Sequence, residues 1–257
     1  MPRILLLGSR FDPAKDMVYN AINPLFEIHT VILEAPVSKS SMIKRRIKKL
    51  GIVKVFGQLC FQVMIVKCLS LFSRKYKKQL MSSLQLDTTP LPEQKARLVE
   101  TVNDDECIRI ILEVKPDLVL VKGTRIISAK VLEAAGVPFV NMHVGITPQY
   151  RGVHGAYWAL ANKDAAHAGT TIHYVDKGID TGSVIAQQII DISPKDNFVT
   201  YPLKQIAAGI DLLRLSLPKL LQGEKLSQPS LSDGPSRLWS HPTIWYYLKK
   251  RISSHVK

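Results

Sequence analysis

The chain has 257 residues and a mass of 28.8 kDa, with 46% hydrophobic and 22% charged residues. That composition excludes a disordered or collagen-like chain, and three cysteines without a CxxC pair exclude a disulfide framework and a zinc ribbon, favouring a reducing compartment. The net charge is +14, but residues 38–78 hold twelve Lys or Arg and no Asp or Glu, so a nearly neutral domain carries one basic insertion.

Arg3 to Gly8 is a short apolar run closed by glycine, the pattern of a buried first strand; it is too short for the apolar core of an export signal. A helix is predicted over 14–25 and a second strand over 27–34, which together begin a right-handed β-α-β unit. The pattern then breaks into a basic, apolar segment of helical propensity over 39–80. Within it Lys44, Lys48, Lys54, Gln58 and Gln62 fall on roughly a third of a helical wheel, a narrow polar stripe on an oily helix. After Pro90 and Pro92 the α/β rhythm returns. Strands are predicted over 96–102, 117–123, 139–143, 169–175 and 183–190, and helices over 104–114, 128–135, 154–162 and 201–221. The remaining residues, 223–257, read as a polar tail ending in a short aromatic, basic piece.

The exit of the first strand, Gly8-Ser9-Arg10, lacks the glycines of a dinucleotide-binding turn, and no Walker-type Gly-Lys-Ser/Thr occurs. Open α/β sheets bind ligands beyond the carboxyl ends of their strands. Asn141 and His143 close one predicted strand, two apart and therefore on one face. Asp176 and Asp180 stand in the glycine-containing turn between two later strands. An Asn, a His and an Asp converging there form an acid/base set. The bland alternative is that the Asn and His only hydrogen-bond loops and that the Asp residues only form turns.

Three segments together, PDLVLVKGTRIIS, NMHVGITPQYRGVHGAYWAL and GTTIHYVDKGIDTGSVIAQQ, resemble the formyltransferases that use 10-formyltetrahydrofolate, among them the enzymes acting on glycinamide ribonucleotide, on methionyl-tRNA and on amino sugars. The resemblance covers Pro116 to Ile190 well and Arg3 to Glu34 at fold level. It implies an α/β, Rossmann-like, mostly parallel sheet with helices on both faces. The catalytic domain would span 1–222, interrupted by the basic helical insertion at 38–80, with a short tail at 223–257. By motif position Asn141, His143 and Asp180 resemble the family's catalytic residues, with Asp176 the rival of Asp180. An amine attacking the formyl carbon generates an oxyanion that Asn141 can meet, while His143 moves a proton and Asp180 orients the ring. No metal is called for by this chemistry.

The resemblance assigns the folate to Arg125, Ile126 and Ile127 on one wall and to Asp176, Lys177, Gly178 and Ile179 on the other. Core packing is the plain alternative for the two isoleucines, and a surface charge for Arg125. Tyr150, Arg151 and His154 stand near the expected amine. Tyr157 and Trp158, at helical spacing, read first as core, and His167 and His173 read as structural.

The expected reaction is formyl transfer to a small primary amine, first that of an amino-sugar nucleotide and next glycinamide ribonucleotide or methionyl-tRNA. Cofactor hydrolysis and an inactive membrane-associated scaffold are the competing functions. For the insertion, a homodimer contact or intramolecular cover ranks first and weak contact with an anionic membrane through 39–80 second; nucleic acid is not expected. The expected location is cytoplasmic, at the membrane periphery if the insertion binds lipid.

Overall fold

A computed structural model describes residues 2–257. Its centre is a seven-stranded sheet in the order β3-β2-β1-β4-β5-β7-β8. β1 (Ile4–Ser9), β2 (Ile28–Glu34), β3 (Ala96–Val99), β4 (Leu118–Lys122) and β5 (Phe139–His143) run parallel. β7 (Gly169–Tyr174) is antiparallel to β5, and β8 (Val184–Ile189) is antiparallel to β7. β6 (Arg151–Gly152) lies outside this sheet and pairs with β9 (Leu238–Trp239).

Alternate residues of the apolar strands feed two cores, as period-two geometry requires. Ile4, Leu6, Leu118, Leu120, Val140 and Met142 face α1 (Pro13–Ile22) and the long α9 (Tyr201–Leu221). Leu5, Leu7, Val119, Val121 and Phe139 face α6 (Asp105–Val114) and α7 (Ala129–Ala135). The helix starts follow side-chain chemistry. Asp12 accepts from the Ala14 N–H to open α1, and Asp104 accepts from the Cys107 N–H to open α6. β3 stops at Val99, short of the predicted 102, because the Val102 N–H turns to the buried carboxylate of Glu34 at 3.3 Å.

The insertion folds as successive helical pieces: α2 (Lys39–Leu50), α3 (Ile52–Cys60), a π-helical stretch (Phe61–Val66), α4 (Lys67–Phe72) and α5 (Arg74–Ser83). Gly51, at φ 82°, separates the first two. Intramolecular cover describes one face only. Phe61 is fully buried, its ring 4.8 Å from Phe198 and 5.1 Å from Tyr247.

That aromatic cluster is a third core, built around α8 (Gly155–Ala161), and the C-terminal residues complete it. Trp239 stacks on Trp158 at 4.4 Å, and Tyr247 of α10 (Ile244–Ser253) stacks on Tyr157 at 6.1 Å. Tyr157 and Trp158 are thus core residues, as their helical spacing suggested.

Candidate active site

A crevice of about 420 Å³ opens at the carboxyl ends of β1, β4 and β5, where the strand order reverses between β1 and β4. Its volume is in the range of small-ligand sites. Asn141, His143 and Asp180 meet in it. Asn141 and His143 project from β5 on one face. Asp180 reaches them from the β7–β8 loop with its backbone at φ 51°.

Asp180 Oδ2 lies 3.4 Å from His143 Nδ1, and its Oδ1 is 3.4 Å from Asn141 Nδ2. The same carboxylate accepts from the Gly152 N–H at 2.9 Å. Burial pushes the Asp180 carboxyl upward, but His173, His143 and the Gly152 N–H outweigh it and bring its pKa down to about 2. His143 Nε2 is 2.9 Å from the carbonyl oxygen of Tyr150, so the ring sits between two acceptors while a neutral imidazole has one N–H to give. Burial lowers the His143 pKa, against the pull of Asp180, leaving a ring that rests neutral beside a carboxylate able to balance a proton. Gly145 permits this packing: a Cβ there would collide with the Tyr150 carbonyl and with His143 Nε2.

The rival carboxylate has a different task. Asp176 Oδ1 accepts from the Gly178 N–H at 3.0 Å and from the Thr181 hydroxyl at 2.6 Å, which fixes the loop carrying Asp180. Asp176, Gly178 and Ile179 line the crevice, and Lys177 points away to Glu133 at 3.2 Å. On the opposite wall Arg125, Ile126 and Ile127 follow β4. The Arg125 guanidinium donates to the carbonyls of Glu100 and Ala35, and its backbone N–H donates to Glu34 at 2.6 Å, so it fastens the wall to the end of β2. Ile127 is buried in the second core, whereas Ile126 is 55% exposed.

Tyr150, Arg151 and His154 do not line the crevice with side chains. The Tyr150 ring is buried and its hydroxyl donates to Asp164 at 2.7 Å; its carbonyl is the part that touches the site. Arg151 donates to the Ile179 carbonyl at 2.8 Å, bracing the Asp180 loop. His154 packs on Phe198 at 4.4 Å and hydrogen-bonds His241 at 2.8 Å; burial, aided by His241, lowers its pKa to about 3.

Two further residues line the crevice: His173, which the sequence reads as structural, and Lys122, which it does not single out. His173 lies opposite Asn141 in the β5–β7 register, with Nε2 3.0 Å from Asn141 Nδ2 and 3.6 Å from Asp180 Oδ1. Its Nδ1 is 2.7 Å from the Tyr174 carbonyl and must donate there, leaving Nε2 to accept from Asn141. Lys122 ends β4 and is buried at the crevice, with its Nζ only 3.4 Å from the Met142 carbonyl as hydrogen-bond partner. Burial lowers its pKa against the attraction of Asp12 and Asp180. A lysine closing an apolar strand at the ligand end of the sheet was the available signal.

The sequence profile of the family described as formyl transferase matches residues 58–208, more than half of the chain. The chain belongs to the formyl transferase family. A methionyl-tRNA formyltransferase of Levilactobacillus brevis is 37% identical over 134 residues, which is 52% of this chain and 41% of that protein. The chain spans between 40% and 52% of the length of the curated methionyl-tRNA formyltransferases it matches. Among solved structures, a sugar N-formyltransferase from Shewanella shares the fold at 16% identity and a TM-score of 0.57, covering 92% of this chain and 76% of that one. A phosphoribosylglycinamide formyltransferase from Streptococcus pneumoniae shares it at 20% identity and a TM-score of 0.54, covering 86% and 99%.

Proposed function

We propose that this chain transfers a formyl group from 10-formyltetrahydrofolate to a primary amine, with Asn141, His143 and Asp180 as the catalytic residues. The observation that carries the reading is the meeting of these three side chains, 3.4 Å from one another through Asp180, inside a crevice at the strand ends. Bound between the 125–127 and 176–179 walls, the folate supplies an electrophilic one-carbon unit.

Neutral His143 takes a proton from the attacking amine, Asp180 balances the imidazolium, and the ring gives the proton to the folate nitrogen that leaves as its bond to the formyl carbon breaks. Asn141 Nδ2 makes one short contact, to His173, and one long one, to Asp180; the N–H on the long one is free to meet the formyl oxygen as it gains charge. Lys122 has unused donors at the same crevice and adds positive charge.

For the acceptor we favour an amino-sugar nucleotide. Sugar-directed members vary in their appendages, which leaves room for an insertion such as 38–80, and the Shewanella sugar enzyme shares the fold over 92% of the chain. Methionyl-tRNA is the second reading, favoured by the 37% identical stretch. A cytoplasmic location goes with a folate substrate and with the three free cysteines. We further read the basic insertion as the part of the chain that meets a second body outside the crevice.

The test is to supply the protein with 10-formyltetrahydrofolate and separately with an amino-sugar nucleotide, glycinamide ribonucleotide and charged initiator tRNA, following cofactor loss. Turnover with the sugar and its loss in His143→Ala are expected. Full activity in that variant would remove the assignment, and turnover with tRNA alone would move the acceptor to the second reading.

A further inference from the structure

The insertion is built inside out for a water-facing helix. Gln58 is fully buried, donating to Ser240 and to the His241 carbonyl and accepting from Arg46, while Phe56, two residues earlier, is 62% exposed. Leu71 and Phe72 at the far end are 69% and 83% exposed. Beside α3, α10 turns Trp245, Leu248 and Ile252 outward at helical spacing. The two elements are continuous, because the Trp245 indole packs directly over Gly57. A groove of about 660 Å³ runs between them, bordered by Ile52, Val53 and Trp245 and edged by Lys54 and Lys249.

The surroundings of this apolar face carry one sign of charge. α2 has no buried residue, and its Lys44, Arg45 and Lys48 form, with Ser40 and Ser41, a separate concavity of cations and hydroxyls. α5 adds Arg74, Lys75, Lys77 and Lys78. No Asp or Glu lies anywhere in residues 38–78.

We infer that this face docks on an anionic lipid bilayer, with the exposed side chains of α3, α4 and α10 entering the interface and the α2 and α5 cations meeting the phosphates. A second copy of the chain would set twelve cations against twelve with no acidic residue to offset them. A bilayer supplies the opposite charge and the apolar interior together. The helix lies along the surface and does not cross it. Although Ile52–Phe72 is long and apolar enough to span, Gln58 and Phe61 pin its middle to the C-terminal segment and the third core. This inference stands apart from the chemistry of the crevice, and its test reads no turnover.

The full chain is floated with vesicles of phosphatidylcholine alone and with vesicles containing one third phosphatidylglycerol. Binding about tenfold higher to the anionic vesicles is expected, with release as salt is raised to about 0.5 M. Two variants follow, Phe56→Ser/Phe72→Ser and Lys44→Gln/Arg45→Gln/Lys48→Gln. Each changes exposed side chains only, and each is expected to lower the bound fraction about tenfold. Three outcomes would overturn the inference: no flotation with anionic vesicles, undiminished flotation of both variants, or a dimer in buffer that Phe56→Ser/Phe72→Ser dissociates, which would give the face to a second copy.

Discussion

Asn141 and His173 face each other across the antiparallel β5–β7 pair, and the amide Nδ2 of one lies 3.0 Å from Nε2 of the other. The contact holds the amide with one N–H toward His173 and the other toward Asp180. In the proposed reaction His173 is thus a positioning residue acting through Asn141.

Replacing His173 by Ala should lower kcat roughly 10- to 100-fold, since an angstrom of misplacement costs that much. The KM for the folate should stay nearly constant. His173→Gln, which keeps a polar partner for the amide, should recover part of the loss. Steady-state kinetics of the three proteins checks this; a loss confined to KM would contradict it.

The pH behaviour follows from His143 and Asp180. His143 titrates below its ordinary value of 6.5, so it is neutral at pH 7 and the rate should fall on an acid limb centred below 6.5. Asp180 raises that value, so Asp180→Asn should move the His143 titration further down. The displacement is readable from the imidazole proton resonance even where turnover is lost.

Asp180 also ties stability to acid. Its folded pKa of about 2 is below its ordinary 3.8, so its contribution is fully present above about 4 and is lost as the pH falls through about 2. That contribution is on the order of 2 kcal/mol. Urea unfolding at neutral pH and near pH 3 should show the gap between the parent and Asp180→Asn narrowing on the acid side.

Lys122 sets stability against activity. Its ammonium is buried, 3.4 Å from the Met142 carbonyl and, among the described residues, with no carboxylate within ion-pair distance. Lys122→Met keeps the length of the side chain and removes the desolvation cost, so the variant should be as stable as the parent or more stable by about 1 kcal/mol. Its kcat should fall at least about tenfold if the positive charge acts on the formyl oxygen. Thermal melts and kinetics on the same preparation separate the two effects.

Gly145→Ala tests the packing beneath His143. The added methyl meets the Tyr150 carbonyl and His143 Nε2, so one of them must move. A stability loss of about 1–3 kcal/mol is expected, with a larger proportional loss of kcat than the other glycine sites would give. Gly223→Ala, where no atom lies within 4 Å of the added carbon but φ is 82°, separates backbone strain from collision.

The parallel half of the sheet was legible because each strand is an apolar run closed by glycine, proline or a polar residue. Asn141 and His143 were visible as strand-end polar residues, and Asp180 through its glycine-flanked turn. His173 was not, because its place depends on which strand lies opposite β5 and in what register, and alternation within GTTIHY is silent on both. The polar stripe on the insertion was a wheel pattern only: Gly51 breaks the helix between Lys48 and Lys54, and the exposed Lys44, Lys48 and Lys54 do not share a face with the buried Gln58. Gln58 turned inward because Ser240 and His241, distant in sequence, supply its partners.

The short β6–β9 pairing connects residues 237–239 to the position of Asp180. Arg151 donates its N–H to the Arg237 carbonyl, Val153 donates to the Trp239 carbonyl, and between them Gly152 turns its own N–H to Asp180. Proteolytic clipping ahead of Arg237 would leave the seven strands intact, yet slacken the clamp that aims the carboxylate. The same cut would open the third core, where Trp239 and Tyr247 close on Trp158 and Tyr157, so one strap serves both that core and the aim of Asp180.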